Sequence, residues 1–399
     1  MKEPFLHALP ILKKIENAGF DAYFIGGSVR DLLLGRKIAD VDIATSATPM
    51  EVKQIFPKTI DVGIEHGTVV IPFNGQMYEV TTFRAESEYE DFRRPKEVQF
   101  IRSLQEDQKR RDFTMNAIAM DKLGNMIDPF FGRKAIEEGI IKTVGVAEER
   151  FQEDALRMMR AVRFLSQLSF KLDHETFLGI VQNRDLLEKI AVERIVVEFE
   201  KLLMGKNRRQ ALKILIESGL YQYLPGCSSF RNEIEKLSML EIESLELDQI
   251  WLLLIYLFGL KGKMVMDFLK KWKLPSKKIQ WIQKGAAWLE RRVEKNWSIN
   301  SLYQAKLDIA ISVERVYNVL SHNQVDESTS YIRQTYLALP IKELSDLTIS
   351  GNELMEWYGL AAGPWIKEKI TIIENAVLYQ QVENKKDSIK EWLFKCNQS

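Results

Sequence analysis

Two aspartates, Asp40 and Asp42, are separated by one residue in a segment whose pattern predicts a β-strand. Side chains two residues apart on a strand point to the same face, with Cα atoms about 6.5–7 Å apart. Two carboxylates so placed repel each other unless a cation lies between them. Mg²⁺ is bound by few carboxylates together with substrate phosphates. The spacing therefore predicts a magnesium site, although a solvated strand edge carries the same pattern.

A second polar element precedes the aspartates by about ten residues. The segment 24–31 runs from an apolar strand through Gly26 and Gly27 into a helix that carries Arg30. Glycines at such a turn let a phosphate approach the backbone, and the helix N-terminus offers it free N–H groups. An arginine one turn into the helix suits bidentate phosphate binding. Such a turn also occurs for structural reasons alone, but a phosphate site beside a metal site predicts phosphoryl or nucleotidyl transfer.

Glu79 is the candidate for a third carboxylate at this site. Residues 68–71 and 78–83 predict two strands, and the Asn74-Gly75 turn between them is a strong hairpin signal. Glutamate is disfavoured in the middle of a strand unless it is exposed or coordinates a metal. Glu79 is therefore either a solvent-facing side chain or a member of the metal site.

The elements that position these residues change character near residue 150. Before it, turn signals alternate with β-rich runs, and helices are predicted at 5–18, 28–34 and 48–55. After it, apolar residues recur three and four apart, as in helices. The pattern predicts an α/β (α+β) head with a small, mostly antiparallel sheet, followed by an all-helical C-terminal region. Further strands are predicted at 98–101 and 117–120.

Composition narrows the class of protein. The chain has 399 residues, enough for several domains, and only two cysteines, Cys227 and Cys396, which favours a reducing compartment. The longest apolar run, residues 250–260, is too short to span a bilayer, and the N-terminus lacks the pattern of a signal peptide. We therefore expect a cytoplasmic protein with no membrane partner.

The net charge of zero, from 56 basic and 56 acidic residues, first argues against a nucleic-acid partner. The balance is an average over unequal segments. Residues 231–248 hold six acidic residues against two basic ones, whereas residues 261–295 hold eleven basic residues against three acidic ones. The basic segment predicts helices that follow an RNA backbone, while overall neutrality disfavours indiscriminate RNA binding.

Four ordered motifs resemble the polymerase-β nucleotidyltransferase superfamily, and within it the class II tRNA nucleotidyltransferases and bacterial poly(A) polymerases. They lie at 26–31 with 40–42, at 110–117, at 153–164 and at 193–198. The resemblance implies template-independent addition of C, C and A to the 3′ end of the tRNA acceptor stem. CTP and ATP would be the substrates, pyrophosphate the second product and Mg²⁺ the cofactor.

The resemblance also implies roles for individual residues. The catalytic residues would be Asp40, Asp42 and Glu79, and the first two of these would hold the metal. The nucleotide-binding residues would be Gly27, Arg30, Arg111, Asp154, Arg157, Arg160 and Arg163. Because each three-residue step turns a helix by about 60°, the last arginine lies half a turn from Asp154 and serves either helix packing or RNA.

Asp154 and Arg157 are the pair that the resemblance assigns to reading the base. Cytosine and adenine both present an amine donor beside a ring-nitrogen acceptor, whereas guanine and uracil present the reverse. Aspartate accepts and arginine donates, so the pair would select C or A. A site of this kind rejects a mismatched edge by about 10⁴–10⁵. On a single helix over 151–168 the same two residues would otherwise form an i,i+3 surface ion pair.

Four parts of the chain are expected from these motifs. They are a catalytic head at 1–148, a helical neck for base recognition at 149–215, a helical body at 216–310 and a tRNA-binding tail at 311–399. In the resembled family the charged loop at 84–97 is associated with addition of the terminal A, which favours complete CCA addition. Three alternative functions stay open: a poly(A) polymerase, a CC- or A-adding enzyme, and a non-catalytic tRNA-binding protein. The oligomeric state also stays open, and a homodimer is one possibility.

Overall fold

The computed structural model describes residues 2–86, 89–90, 94–95, 98–322 and 325–396. It divides into two compact units. The first consists of Met1–Ser238 with Lys271–Lys273, and the second of Met239–Lys270 with Leu274–Ser399. The four-part division expected from the sequence is finer than this and stays a prediction.

The strands of the described residues all lie in the first unit. They are β1 (Ala22–Ile25), β2 (Asp42–Thr45), β3 (Ile60–Asp61), β4 (Thr68–Phe73), β5 (Gln76–Thr82), β6 (Arg84–Glu86), β7 (Tyr89–Glu90), β8 (Arg94–Pro95), β9 (Val98–Phe100), β10 (Ala119–Met120), β11 (Met126–Ile127), β12 (Ile140–Ile141) and β13 (Lys171–Leu172).

Helices fill most of the remaining described chain. They are α1 (Phe5–Asn17), α2 (Gly27–Leu33), α3 (Pro49–Ile55), α4 (Leu104–Lys109), α5 (Gly132–Glu138), α6 (Ala147–Glu153), α7 (Leu156–Leu168), α8 (His174–Asn183), α9 (Val192–Leu203), α10 (Arg208–Glu217), α11 (Arg231–Met239), α12 (Leu247–Leu257), α13 (Lys263–Lys271), α14 (Ser276–Glu294), α15 (Ile299–Ala305), α16 (Leu307–Leu320), α17 (Val325–Leu337), α18 (Gly351–Tyr358), α19 (Trp365–Leu378) and α20 (Lys386–Cys396).

A seven-stranded sheet organises the head in the order β11-β10-β1-β2-β5-β4-β3. Its pairs are antiparallel except β2 with β5, which are parallel with Ile43 opposite Val80. The predicted hairpin is confirmed as β4 and β5, and its turn has positive φ at both Asn74 (47°) and Gly75 (78°). Such a turn matches the twist of the strands it joins. The mostly antiparallel sheet expected from the sequence is therefore confirmed.

One face of this sheet is covered by helices that the sequence predicted. On α1 the buried side chains recur three and four apart (Phe5, Ala8, Ile11, Leu12 and Ile15). The ring of Phe5 meets the β1 residue Phe24 edge to face, with the ring centres 4.9 Å apart. Helix α3 begins with a capping box in which Thr48 and Glu51 bond to each other's backbone, and Pro49 occupies its first turn. Apolar spacing and capping residues thus define both helices.

Helices dominate beyond residue 150, as predicted, with the short strand β13 as the exception. This strand pairs in parallel with β12. In the second unit Pro275 and Pro364 stand at the N-caps of α14 and α19, where a missing N–H costs least. None of the helices in the described part of the chain is both long and apolar enough to cross a membrane.

Two local predictions need correction. The single helix predicted over 151–168 is broken, because α6 ends at Glu153, and Asp154 is extended (φ −140°, ψ 101°) before α7 begins. The loop predicted at 84–97 contains the short strands β6, β7 and β8, and its residues 87–88, 91–93 and 96–97 lie outside the described chain.

Candidate active site

The turn between β1 and α2 brings a carboxylate and a guanidinium to the same backbone position. Gly26 has φ 76° and ψ −137°, a region that side chains rarely adopt. A Cβ at this residue would lie 3.3 Å from Nη1 of Arg111 and 3.7 Å from Oδ2 of Asp42. The backbone angle favours glycine here, and a Cβ would in addition be in tight contact with the Arg111 guanidinium.

Two further carboxylates, those of Asp40 and Glu79, lie near Asp42. Parallel pairing of β2 with β5 places Glu79 across from it, and Asp40 stands just before the strand. Burial and the negative charges of Glu79 and Asp40 together raise the pKa of Asp42 to about 6, against the opposing charge of Arg111. The predicted crowding of carboxylates is therefore present. The expected position of Asp40 within the strand is wrong, because β2 begins at Asp42 and Asp40 is exposed before it.

These carboxylates suit a hard cation. Oxygen ligands match Mg²⁺, and a cation would relieve the repulsion that raises the pKa of Asp42. No three His, Cys, Asp or Glu side chains of the described residues are already close enough together to enclose a metal. The structure therefore does not by itself assemble Asp40, Asp42 and Glu79 into a three-ligand metal site, and the magnesium assignment stays a prediction.

Asp107 fixes the arginine that faces this carboxylate group. Nη2 of Arg111 donates to Oδ2 of Asp107 at 3.0 Å, while Arg110 bonds to the other oxygen at 2.6 and 3.0 Å. Burial would raise the pKa of Asp107, but the charges and hydrogen bonds of both arginines outweigh it and lower the pKa. The ionised Asp107 therefore holds Arg111 with its Nη1 toward Gly26.

A chain of hydrogen bonds links Arg30 to Arg160 of α7. Nη1 of Arg30 donates to Oδ1 of Asn116 at 2.8 Å, and Asn116 donates to Asp112 at 3.0 Å. Asp112 also accepts from Nε and Nη2 of Arg160, at 2.8 and 2.5 Å. Burial would raise the pKa of Asp112, but Arg160 and Asn116 hold it far below its usual range. The network orients Arg30, whose other nitrogens bond to Asp31 at 2.9–3.0 Å.

Three of the predicted nucleotide-binding arginines surround one phenylalanine. The guanidinium carbons of Arg163, Arg30 and Arg160 lie 3.8, 5.2 and 5.5 Å from the ring centre of Phe164. Cation–π attraction offsets part of the repulsion between them. Arg163 is buried and lies 2.6 Å from Oε2 of Glu198. Burial lowers its pKa to about 10, with the charge of Glu198 opposing the shift. Of the two roles considered for Arg163, these contacts match helix packing.

The two residues assigned to base reading lie at the break between α6 and α7. Asp154 accepts hydrogen bonds from Arg194, at 2.7 and 3.2 Å, and its side chain keeps 18% exposure. Arg157 donates to Glu153 at 2.7 Å and to the carbonyl of Arg110 at 2.8 Å. The surface pair between Asp154 and Arg157, considered from their spacing, is therefore absent, and each side chain is held by a different partner.

The carboxylates that orient the arginines were assigned no role from the sequence. Asp107, Asp112 and Glu198 each hold one or two arginines of the site. A signal was available on α9, where Arg194 and Glu198 are four residues apart and hence on one face of the helix. Both project toward the segment 154–163, one to each end.

Models of three protein families match consecutive parts of this chain. Residues 22–142 match the "Poly A polymerase head domain", residues 169–230 the "Probable RNA and SrmB-binding site of polymerase A", and residues 243–393 the tRNA nucleotidyltransferase domain 2. Together with the carboxylates and arginines around Gly26, these matches define the chain as a nucleotidyltransferase.

Full-length relatives identify the family more closely. A CCA-adding enzyme of Geobacillus sp. (strain WCH70) is 49% identical over 399 residues, which is 100% of this chain and 98% of the relative. One of Bacillus cereus (strain Q1) is 47% identical over 99% of each chain. The crystal structure of the Bacillus stearothermophilus CCA-adding enzyme in complex with CTP has a TM-score of 0.92 and 47% identity, covering 100% of this chain and 98% of the other. This chain belongs to the CCA-adding enzymes, which add C, C and A to the 3′ end of tRNA.

Proposed function

We propose that this chain adds all three nucleotides at one catalytic site, in which the triphosphate lies between the carboxylates of β2 and β5 and the arginines of the head. The observation that carries the proposal is the meeting of Asp42 and Arg111 at Gly26. A metal ligand and a guanidinium on either side of an open backbone turn match the charges of a nucleoside triphosphate. Gly27 and Arg30 follow at the start of α2 and would complete the phosphate site.

Mg²⁺ held by Asp40 and Asp42 would activate the RNA 3′-hydroxyl and neutralise charge on the triphosphate. Glu79 would contribute negative charge to the same place, next to Asp42. The guanidinium of Arg111 would orient the phosphates, because Asp107 already fixes one of its nitrogens. The protein would thus supply alignment of the 3′-hydroxyl with the α-phosphate and electrostatic stabilisation as pyrophosphate leaves.

Asp154 and Arg157 would select the base through the donor–acceptor pattern shared by cytosine and adenine. Asp154 would accept from the exocyclic amine and Arg157 would donate to the ring nitrogen. The extended backbone at Asp154 supports this role, because its carboxylate stands at a helix break where Arg194 orients it. Arg157 would exchange one of its present partners for the base. Arg160 would assist from the next turn of α7, and Arg163 through its packing on Phe164.

The test of this proposal is incorporation into a tRNA that lacks its CCA end. We expect two additions with CTP alone, none with ATP alone, and three followed by arrest with both. A long A tract would indicate a poly(A) polymerase, and addition of only C or only A would indicate a partial enzyme. Asp42→Ala should abolish incorporation while leaving the Kd for tRNA nearly unchanged, and retained turnover would contradict the metal assignment.

Three further predictions concern the contact with tRNA, the cellular location and the oligomeric state. The basic segment 261–295 would follow the tRNA backbone, although Lys278 and Arg292 within it already pair with Asp248 and Glu314. We further propose a cytoplasmic enzyme, which cell fractionation would test. Its oligomeric state, for which a homodimer was considered, would follow from its mass in solution.

A further inference from the structure

A cavity of about 350 Å³ lies in the second unit, between the end of α14 and the start of α15. None of its lining residues belongs to the proposed nucleotidyltransferase site. Two indoles and three cationic side chains dominate the lining, which includes Trp288, Trp297, Arg291, Arg292, Lys295 and Asn300. A volume of this size is at the lower end for small-molecule sites.

A buried carboxylate fixes two members of this lining. Glu314 of α16 is only 2% exposed and accepts from Arg292 through both of its oxygens, at 2.7 and 3.1 Å. Its Oε2 also accepts from Nε1 of Trp297 at 2.9 Å. Arg292 in addition stacks on Tyr317, 3.7 Å from the ring centre. Burying a charge is costly unless it is paired, so Glu314 holds the guanidinium and the indole in one orientation at the cavity wall.

The rest of the wall combines aromatic faces with positive charge. The rings of Trp288 and Trp297 are 5.8 Å apart and inclined by 33°, and the guanidinium of Arg291 lies over Trp288 at 4.7 Å. Because Glu314 neutralises Arg292, the remaining charges of the lining are those of Arg291 and Lys295 against Glu294. The cavity is therefore an aromatic site with a positive excess.

We propose that this cavity binds one nucleotide, with its base against Trp297 and its phosphate near Arg291 and Lys295. A simple anion would leave the indole face unused, and an apolar ligand would leave the cations unpaired. A base joined to a phosphate satisfies both, since bases stack on aromatic side chains and phosphates pair with arginine and lysine. The nucleotide is either free in solution or one unstacked residue of bound RNA.

The experiment separates these two sources with the full chain. Equilibrium dialysis with labelled ATP and Mg²⁺ counts free nucleotides bound per chain, and filter binding gives the Kd for tRNA lacking CCA. Trp297→Leu removes the stacking face, and Arg291→Gln removes a cation without touching Glu314. Tyr256→Leu is the matched control, because this aromatic side chain belongs to α12, outside both the cavity lining and the segment 261–295. Thermal unfolding of each variant identifies any that fail to fold.

If the cavity binds free nucleotide, wild type should bind two ATP per chain, one in the cavity and one at the proposed catalytic site. Trp297→Leu and Arg291→Gln should then bind one ATP per chain. If the site binds a nucleotide of the RNA, wild type and all variants should bind one ATP per chain. The Kd for tRNA should rise about tenfold in Trp297→Leu, less in Arg291→Gln and not in Tyr256→Leu. Unchanged stoichiometry and unchanged Kd in folded Arg291→Gln and Trp297→Leu would overturn the proposal. Binding of an RNA nucleotide in the cavity rests on the proposed function. Failure of the proposed function would be recognised separately, because wild-type protein would then add no nucleotide to tRNA.

Discussion

Asp42→Asn should stabilise the metal-free protein while removing its activity. The pKa of Asp42 is raised from 3.8 to about 6 by burial and by the charge of Glu79. For a group whose folded-state pKa is raised, the associated stability is present below the unfolded pKa and is lost as pH rises through the folded one. A shift of about 2 units corresponds to about 3 kcal/mol at most. Wild-type protein in EDTA should therefore lose stability as pH rises from 4 to 7.

The measurement is the free energy of unfolding in urea at several pH values, with EDTA, for wild type and Asp42→Asn. The variant should be more stable by about 3 kcal/mol at pH 8 and by about 1.5 kcal/mol at pH 5. Saturating Mg²⁺ should stabilise the wild type and not the variant. Asp61→Asn is the control, because this carboxylate forms an exposed pair with Lys53 and its loss should cost no more than about 1 kcal/mol. Parallel pH profiles of wild type and Asp42→Asn would contradict the raised pKa of Asp42.

Further predictions concern the groups that position the site. Gly26→Ala should lower the free energy of unfolding by about 1–3 kcal/mol and lower kcat. The control is Gly35→Ala, because Gly35 also has positive φ but has open space where a Cβ would lie, so this variant should leave kcat unchanged. Equal kcat values would contradict the close approach at Gly26. Glu198→Ala should cost about 3–5 kcal/mol in urea unfolding because it leaves Arg163 buried and unpaired, and the double variant with Arg163→Met should recover much of that loss. Glu79→Gln should weaken Mg²⁺ activation, seen as a higher metal concentration for half-maximal rate; an unchanged value would place Glu79 outside the metal site.

The sequence predicted the head well because its signals are local. The Asn74-Gly75 turn requires positive φ at two residues, and the capping box at Thr48 marks the start of α3, so neither depends on distant packing. The carboxylate group was also predictable, since the hairpin places Glu79 on a strand. Its pairing with β2 was not predictable, because strand order depends on long-range packing.

The arginines show where prediction from sequence stops. Spacing alone suggested that Asp154 pairs with Arg157, but a break in the helix redirects each to a different partner. Asp112 reaches Arg160 across 48 residues, and Arg163 meets Glu198 on another helix. Such pairs depend on how helices pack, which periodicity does not specify. The motifs therefore predicted candidate site residues, and the structure shows the contacts that hold their side chains.

The central claim is that Asp154 reads the base. The most direct measurement is single-turnover incorporation of each of the four nucleotides into tRNA lacking CCA, by wild type, Asp154→Ala and Arg194→Lys. Asp154→Ala should admit UTP or GTP, with discrimination reduced by about 10²-fold or more from the 10⁴–10⁵ that such a site provides. Arg194→Lys, which keeps a cation beside the carboxylate, should retain discrimination. Unchanged selectivity in a folded, active Asp154→Ala would contradict the claim.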